Sequence, residues 1–271
     1  MPGNDDLALL TEAAHAAGEI ARRHFGADSP QWDKGAGQGP VSEADIEIDR
    51  MLRARLLTAR PDAGWLSEET EDAPARRAAR LSAREVFIVD PIDGTRAFLA
   101  GQKAFAHALA IARDGVVIAG VVYLPLLGLT YSATRDGGAW LNGERLVLAD
   151  PPPLDGARLL MGRAQLAPEL WPGGTPPVTP HFRPALAWRL CLVAEGRFDG
   201  VLTLRDAWHW DIAAGGLIAA EAGARVTDIA GRPLAFDTEA IKAAGLLAAP
   251  EPLHGDLLAR LRPGARQTAP S

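Results

Sequence analysis

Apolar positions near the start of the chain recur at helical spacing: Leu10, Ala14, Ala17 and Ala21 share one face and predict an amphipathic helix over 5–25. A glycine-rich run at 35–40 ends that pattern. It lacks the Lys-Ser/Thr pair that would complete a P-loop, so it reads as a mobile loop. A second helix is predicted from Ser42, whose hydroxyl can cap it with Asp45 three residues on, and Ile48, Met51, Leu52 and Leu56 form its buried stripe. The charged, alanine-rich stretch 71–83 predicts a solvated helix or excursion. Residues 86–89 are wholly apolar and predict a short central strand that stops where Asp90 begins. Apolar runs over 104–112, 116–124 and 129–133, separated by Asp114-Gly115, Pro125 and Asp136-Gly137-Gly138, predict an antiparallel meander.

The pattern changes after Pro151-Pro152-Pro153. This marks the expected boundary between an N-terminal α+β half (1–150) with most of the acidic candidates and a C-terminal α/β half (151–271). In the second half, strands predicted at 157–161, 200–204 and 245–249 alternate with helices at 185–195, 211–222 and 253–261. The Gly/Pro-rich segment 171–177 reads as a loop, and no internal repeat is visible.

With 271 residues and 48% hydrophobic content, the chain can bury a sizeable core. No stretch approaches the ~20 uninterrupted apolar residues of a membrane span, and the N-terminus is acidic where a signal peptide would be basic, so the expected location is the cytoplasm. The single cysteine, Cys191, excludes an internal disulfide and reads as a packed helical thiol. A net charge of −6 argues against a nucleic-acid polymer as partner. A phosphorylated metabolite is compatible with that charge if bound cations reverse the local field.

Three acidic clusters carry the candidate chemistry: Glu68-Glu69, the segment Asp90-Pro91-Ile92-Asp93-Gly94-Thr95, and Trp210-Asp211. Carboxylates in such numbers suit hard divalent cations such as Mg²⁺, which are held by a few carboxylates together with substrate phosphate. Asp90 and Asp93 flank a rigid proline and can face one ion, while the Ile92 carbonyl is freed from regular pairing; Gly94 lets the backbone approach an anion. If Thr95 opens a helix, its free N–H groups would favour phosphate. Each cluster also has an ordinary reading: an acidic turn after a strand, a surface pair at Glu68 and Glu69, and a helix N-cap at Asp211.

Taken in order, the motifs resemble those of the inositol monophosphatase superfamily of Mg²⁺-dependent, Li⁺-sensitive phosphatases. They are Lys34, Val41-Ser42-Glu43-Ala44-Asp45, Leu66-Ser67-Glu68-Glu69, Phe87 through Thr95, Gly120-Val121-Val122-Tyr123, and Trp210-Asp211-Ile212-Ala213-Ala214 with Glu221-Ala222-Gly223. The resemblance implies a layered α/β/α/β/α sandwich with two or three Mg²⁺ ions between the halves. Glu68, Asp90, Asp93 and Asp211 would be side-chain ligands and Ile92 a carbonyl ligand. Thr95, oriented by Asp45, would help Glu68 deprotonate the attacking water, while Asp93, Gly94, Thr95, Arg96 and Asp211 would contact substrate. It also implies a role for Lys34 near the metals and, as in many relatives, a homodimer. No histidine falls in a motif; only His209, beside Trp210-Asp211, is a candidate for touching substrate.

The substrate-defining positions depart from the inositol-specific pattern. Asp-Gly-Thr is followed here by Arg96-Ala97-Phe98, the acidic residue that holds sugar hydroxyls is replaced by Leu204, and the usual Gly-Ser/Thr-Ala-Ala gives way to a segment running from Arg183 to Leu190 that includes Arg189. Extra arginines suit a second phosphate. The chain therefore looks more like the 3′(2′),5′-bisphosphate nucleotidase branch, acting on adenosine 3′,5′-bisphosphate. The alternatives are an inositol-1-phosphatase, a phosphatase of another ester such as fructose 1,6-bisphosphate or histidinol phosphate, and a non-catalytic metal-binding regulator.

Overall fold

In the computed structural model, residues 2–26, 30–33, 40–149, 153–236 and 238–261 are described. Lys34, the glycine-rich run at 35–39 and the first two prolines of the expected boundary lie outside them. The elements in chain order are α1 (Pro2–His24), β1 (Gln31–Asp33), β2 (Pro40–Ser42), α2 (Glu43–Ala59), β3 (Gly64–Ser67), α3 (Pro74–Ser82), β4 (Glu85–Asp93), α4 (Thr95–Leu99), β5 (Ala106–Arg113), β6 (Val116–Leu124), β7 (Leu129–Thr134), β8 (Gly138–Leu141) and β9 (Glu144–Leu146). The second half continues with β10 (Arg158–Leu160), β11 (Thr179–His181), α5 (Leu186–Ala194), β12 (Gly200–Thr203), β13 (Ala207–Trp208), α6 (His209–Glu221), β14 (Arg225–Thr227), β15 (Lys242–Ala243), β16 (Leu246–Ala249) and α7 (Leu253–Arg260).

Period-two alternation in the strands builds the layers. Strands β3 to β9 form a seven-stranded sheet in chain order, with β3 parallel to β4 and every other pair antiparallel. Phe87, Val89, Leu109, Ile111 and Val121 face α1 and α2, where they meet Leu10, Ile48, Leu52 and Leu56. The alternate residues Val86, Ile88, Ala108, Ala110 and Val122 face α5 and α6. Beyond those helices lies the second sheet, ordered β11-β10-β12-β16-β14. Its inner residues Leu160, Val201, Leu246 and Ala248 join the same core. Its outer residues Leu159, Leu202, Leu247 and Ala249 are covered by α7 through Leu253 and Leu257. The result is the expected α/β/α/β/α sandwich.

Differences from expectation lie where sequence signals conflict. The strand expected to be central lies second from the edge of its sheet, and it does not end before Asp90 but runs to Asp93, because pairing with β5 resumes after an irregularity between these two residues. The stretch 71–83 contains the short α3, yet Arg80 is buried rather than solvated: its guanidinium donates to Asp72 at 3.0 and 3.2 Å and to the Thr238 carbonyl at 3.1 Å.

Small residues set the position of α6. A Cβ on Gly120 of β6 would come within 3.0 Å of the Ala214 Cα, and one on Gly215 would lie 2.7 Å from the Ala187 carbonyl oxygen and 2.9 Å from the Leu190 Cβ. The helix is therefore wedged between β6 and α5 with no room for a methyl group on either side. Substituting Gly215→Ala should cost about 1–3 kcal/mol and lower the thermal midpoint by several degrees. The neighbouring Gly216→Ala, where a Cβ meets nothing nearer than 3.8 Å, should be neutral or stabilising because it removes helical glycine. Thermal unfolding of the two variants side by side checks the wedge.

Candidate functional site

Four segments bring their side chains to one cleft of about 700 Å³ lined by Glu68, Asp90, Ile92, Asp93, Gly94, Thr95, Arg96, Arg189, Trp208 and Asp211, among others. Asp90 and Asp93 arrive on β4. Asp90 pairs with Ala108 and Asp93 with Ala106, so that Pro91 and Ile92 are set against the single residue His107. The extra residue follows from Pro91, which has no N–H to give to the ladder. The Pro91 carbonyl is instead held by His107 Nδ1 at 2.5 Å. Burial pushes the His107 imidazole down to about 4, so near neutral pH the ring is uncharged and Nδ1–H is the donor. This buried histidine supports the acidic segment from behind, a role that an isolated His in an apolar run did not reveal.

Asp211 stands on the first turn of α6. Carboxylate oxygens of Asp90, Asp93 and Asp211 all lie within 4.8 Å of one another, the first two residues buried and the third half-buried. Glu68, also partly exposed, follows β3, whose parallel pairing sets Ser67 opposite Val89; the Glu68 N–H donates to the Val89 carbonyl at 3.3 Å. Glu68 thus borders the group from the neighbouring strand and is not one of its three closest members.

The electrostatic cost is visible in the acids themselves. Burial, then the charges of Glu68, Asp93 and Asp211, pushes the Asp90 carboxyl well above the usual range. Asp211 is raised likewise, by burial and then by Asp93 and Glu68. Burial raises Asp93 to about 7, against the lowering effect of the Ala187 N–H, Arg189 and the Leu186 N–H. Asp90 Oδ1 is buried with no hydrogen-bond partner among the described residues. An orphaned carboxylate oxygen among like charges, in an all-oxygen donor set, fits a hard divalent cation.

The surrounding residues fix this group. Thr95 Oγ donates to Asp45 Oδ1 at 3.3 Å and to the Ile92 carbonyl at 3.1 Å. Asp45 completes the capping box of α2, its Oδ2 accepting from the Ser42 N–H at 2.8 Å and the Ser42 hydroxyl at 2.5 Å. One turn along α2, Asp49 accepts from Ser67 Oγ at 2.5 Å and Thr70 Oγ1 at 2.9 Å, anchoring the turn that carries Glu68. The sequence signal for Asp49 was available: a second acid at i+4 from Asp45 on a helix face that is otherwise buried. Gly94 caps the start of α4 at φ 95°, a left-handed conformation that a side chain would strain.

Asp93 also accepts from the N–H groups of Leu186 at 3.1 Å and Ala187 at 2.6 Å, the first turn of α5. Ala185, just before it, is held at φ 63°, a conformation that L-residues rarely adopt. Along the same helix, Arg189 lines the cleft beside the acids, its Nε donating to the Arg183 carbonyl and its guanidinium lying 4.5 Å from the centre of the Phe182 ring. Burial draws its pKa down while Asp93 and Asp211 oppose the shift. Arg96, the other arginine of the cleft, is exposed at its rim.

Two expectations are redirected. His209 is buried against Phe236, its ring pushed to about 4 by burial, and it does not line the cleft; it is a packed residue rather than a substrate contact. Leu204 belongs to the core under α7. At that position, therefore, an alkyl group packs inward and offers nothing to a sugar hydroxyl.

Residues 5–266 match the family model described as the inositol monophosphatase family. The chain belongs to that family. It is 35% identical to the inositol-1-monophosphatase of Rhizobium meliloti (strain 1021), over 84% of this chain and 88% of the relative. It is 30% identical to the histidinol-phosphatase of Chlorobaculum parvum, over 96% and 98%, and 32% identical to the 3′(2′),5′-bisphosphate nucleotidase CysQ of Escherichia coli O157:H7, over 83% and 90%. Among solved structures, the IMPase of Thermotoga maritima superposes with a TM-score of 0.78 at 26% identity, covering 94% of this chain and 96% of that one. As a member of the inositol monophosphatase family, the protein is a phosphatase that releases phosphate from small phosphorylated metabolites. No helix among the described residues is long and apolar enough to cross a membrane.

Cation binding should be tied to the protonation of this group. Asp93 is raised from 3.8 to about 7 on folding, so its protonated form stabilises the metal-free fold below pH about 4, and that contribution is lost as pH rises through about 7. A divalent cation held by these acids would take the place of the lost protons. Added Mg²⁺ is therefore expected to raise the thermal midpoint far more at pH 8 than at pH 5, and a pH-independent increment would contradict the coupling.

Proposed function

We propose that the protein is a Mg²⁺-dependent, Li⁺-sensitive 3′(2′),5′-bisphosphate nucleotidase that removes the 3′-phosphate of adenosine 3′,5′-bisphosphate. The observation that carries this reading is Arg189, a half-buried cation placed beside Asp93 and Asp211 with no salt bridge among the described residues, in a cleft whose rim carries Arg96. A guanidinium so placed suits a substrate with a phosphate beyond the scissile one. Leu204 supports the same reading, since a polyol would find no carboxylate there.

Glu68, Asp90, Asp93, Asp211 and the Ile92 carbonyl would hold the ions. Mg²⁺ at such a site supplies water activation near neutral pH and neutralises phosphoryl charge. The chain's own residues do the rest. The Thr95 hydroxyl directs its proton toward Asp45 and the Ile92 carbonyl, leaving its lone pairs for the attacking water. Asp45, locked by Ser42, keeps that hydroxyl from turning. Glu68 accepts the water's proton as the oxygen closes on phosphorus, and the ester oxygen leaves on the opposite side. Gly94 allows the backbone to approach the phosphoryl oxygens, and Arg189 holds the second phosphate. No protein nucleophile is required, which agrees with a buried Cys191 whose thiol is held well above its ordinary range by burial and by Glu195 and Asp93.

Initial rates on adenosine 3′,5′-bisphosphate, inositol 1-phosphate and fructose 1,6-bisphosphate test the assignment. The nucleotide is expected to have the highest kcat/KM, and selectivity for either sugar ester would overturn the nucleotidase reading. Asp93→Asn is expected to lower kcat by about a hundredfold or more with the fold intact. Arg189→Met should raise KM for the bisphosphate by about tenfold, the loss of one charged contact, and should affect inositol 1-phosphate much less. Li⁺ at micromolar to millimolar concentration is expected to inhibit turnover supported by Mg²⁺.

A further inference from the structure

One wall of the acidic cleft is built from the segment between β11 and α5 and from α5 itself, where Phe182, Pro184, Ala185 and Arg189 line it. Phe182 is 62% exposed and belongs to none of the three apolar clusters, so core packing does not account for it. Of the large apolar side chains exposed among the described residues, it is the one that lines this cleft. Its contact is Arg189, whose guanidinium carbon lies 4.5 Å from the centre of the ring. The Arg189 Nε–H donates to the Arg183 carbonyl. The segment that supplies both contacts is itself anchored: Arg183 donates to the Phe182 carbonyl at 2.8 Å, and its guanidinium lies 5.4 Å from the centre of the buried Phe198 ring. Arg189 is therefore gripped at Nε and by a ring under its guanidinium, while its two Nη groups make no salt bridge or hydrogen bond among the described residues. Both are left to form parallel bonds to a phosphate.

We infer that Phe182 is a specificity-determining positioning residue: its ring holds the Arg189 guanidinium where it meets a second anionic group on the substrate, and the ring itself does not touch that substrate. The inference rests on the assignment of Arg189 to a second phosphate and adds to it the residue that makes the arginine ready. A free arginine side chain samples many rotamers, and ordering it when the substrate arrives weakens binding. A guanidinium already stacked on an aromatic face loses less of that freedom. The attraction is electrostatic as well as apolar, because the face of the ring carries the negative part of its quadrupole. A leucine would fill the space without that attraction, and a tyrosine would keep it. The benefit is confined to esters with a second charge, since a monoester has nothing to place against Arg189.

The test uses the full-length, Mg²⁺-loaded protein as wild type, Phe182→Leu, Phe182→Tyr, Arg189→Met and the combination of Phe182→Leu with Arg189→Met. KM and kcat are measured on adenosine 3′,5′-bisphosphate and on adenosine 3′-monophosphate, which differ only in the second phosphate. Phe182→Leu should raise KM for the bisphosphate about three- to fivefold with kcat unchanged, the loss of one partly solvated cation–π contact, and should leave the monophosphate unaffected. Phe182→Tyr should keep the wild-type value, and Phe182→Leu should add nothing in the Arg189→Met background. Equal rises for both esters, or an undiminished effect without Arg189, would show the ring acting on the nucleoside or on the fold and would overturn the inference. The Nε–H signal of Arg189 in ¹H–¹⁵N spectra, identified by its loss in Arg189→Met, separates this inference from the assignment it rests on. A heteronuclear NOE that is high in the wild type and falls in Phe182→Leu, together with no preference of the wild type for the bisphosphate, supports the brace on Arg189 and removes only the second-phosphate assignment. An Nε–H equally rigid in Phe182→Leu would overturn the brace whatever the esters show.

Discussion

Repulsion among Asp90, Asp93 and Asp211 is the constraint on which the rest of the molecule depends. Oxygens from three acids within 4.8 Å, two of them in buried residues, are unfavourable in any metal-free ionised state. The protein meets that cost by making displacement difficult. β4 is an interior strand of its sheet, bonded on one side to the edge strand β3 and on the other to β5. The α6 helix that carries Asp211 is held without slack by Gly120 and Gly215. Either glycine replaced by a larger residue would let the acids separate, and separation would relieve the repulsion at the expense of the site. Tight packing thus preserves a cluster of acids whose repulsion a bound cation would relieve.

The support behind the ligands is mostly neutral or shared. His107 holds the Pro91 carbonyl as an uncharged ring, adding orientation without another charge. Asp45 serves at once as a helix cap and as the partner of Thr95, and Asp49 ties the Glu68 turn to the next turn of the same helix. A single amphipathic helix thus positions two segments of the cleft from its polar edge while its apolar stripe packs on the sheet. This economy follows from the period of the helix, which places residues four apart side by side.

Much of this was legible in the sequence because the signals were local. The strands that build the large sheet announced themselves by apolar runs between turn residues, and the capped start of α2 by Ser42 and Asp45. The acids that meet in space were identifiable from motif spacing, but their convergence was not a local property; it came with the family resemblance. What could not be read depended on tertiary partners. Arg80 sits in a charged stretch that looks solvated, and only Asp72 and Thr238 make its burial tolerable. Short strands such as β11, β13 and β15 owe their pairing to neighbours far along the chain rather than to their own composition. His209 stood next to a motif, and adjacency in sequence placed it on the opposite face of the helix start from Asp211, packed on Phe236. Arg189 was visible only as part of a divergent segment, since nothing in its immediate sequence directs it toward Asp93.

The bond from Asp93 to the start of α5 has a wider consequence. Both oxygens of this acid accept backbone N–H groups from Leu186 and Ala187, while Arg189 projects from the same helix. On the proposed assignment, an ion ligand and the residue that selects the ester are therefore mechanically joined, and the strained backbone at Ala185 is part of the joint. An attempt to retune ester preference by grafting residues 183–189 from a relative would pull on the ion site as well. On that assignment, a graft would keep the ion site only if it left the Leu186 and Ala187 N–H groups where Asp93 receives them.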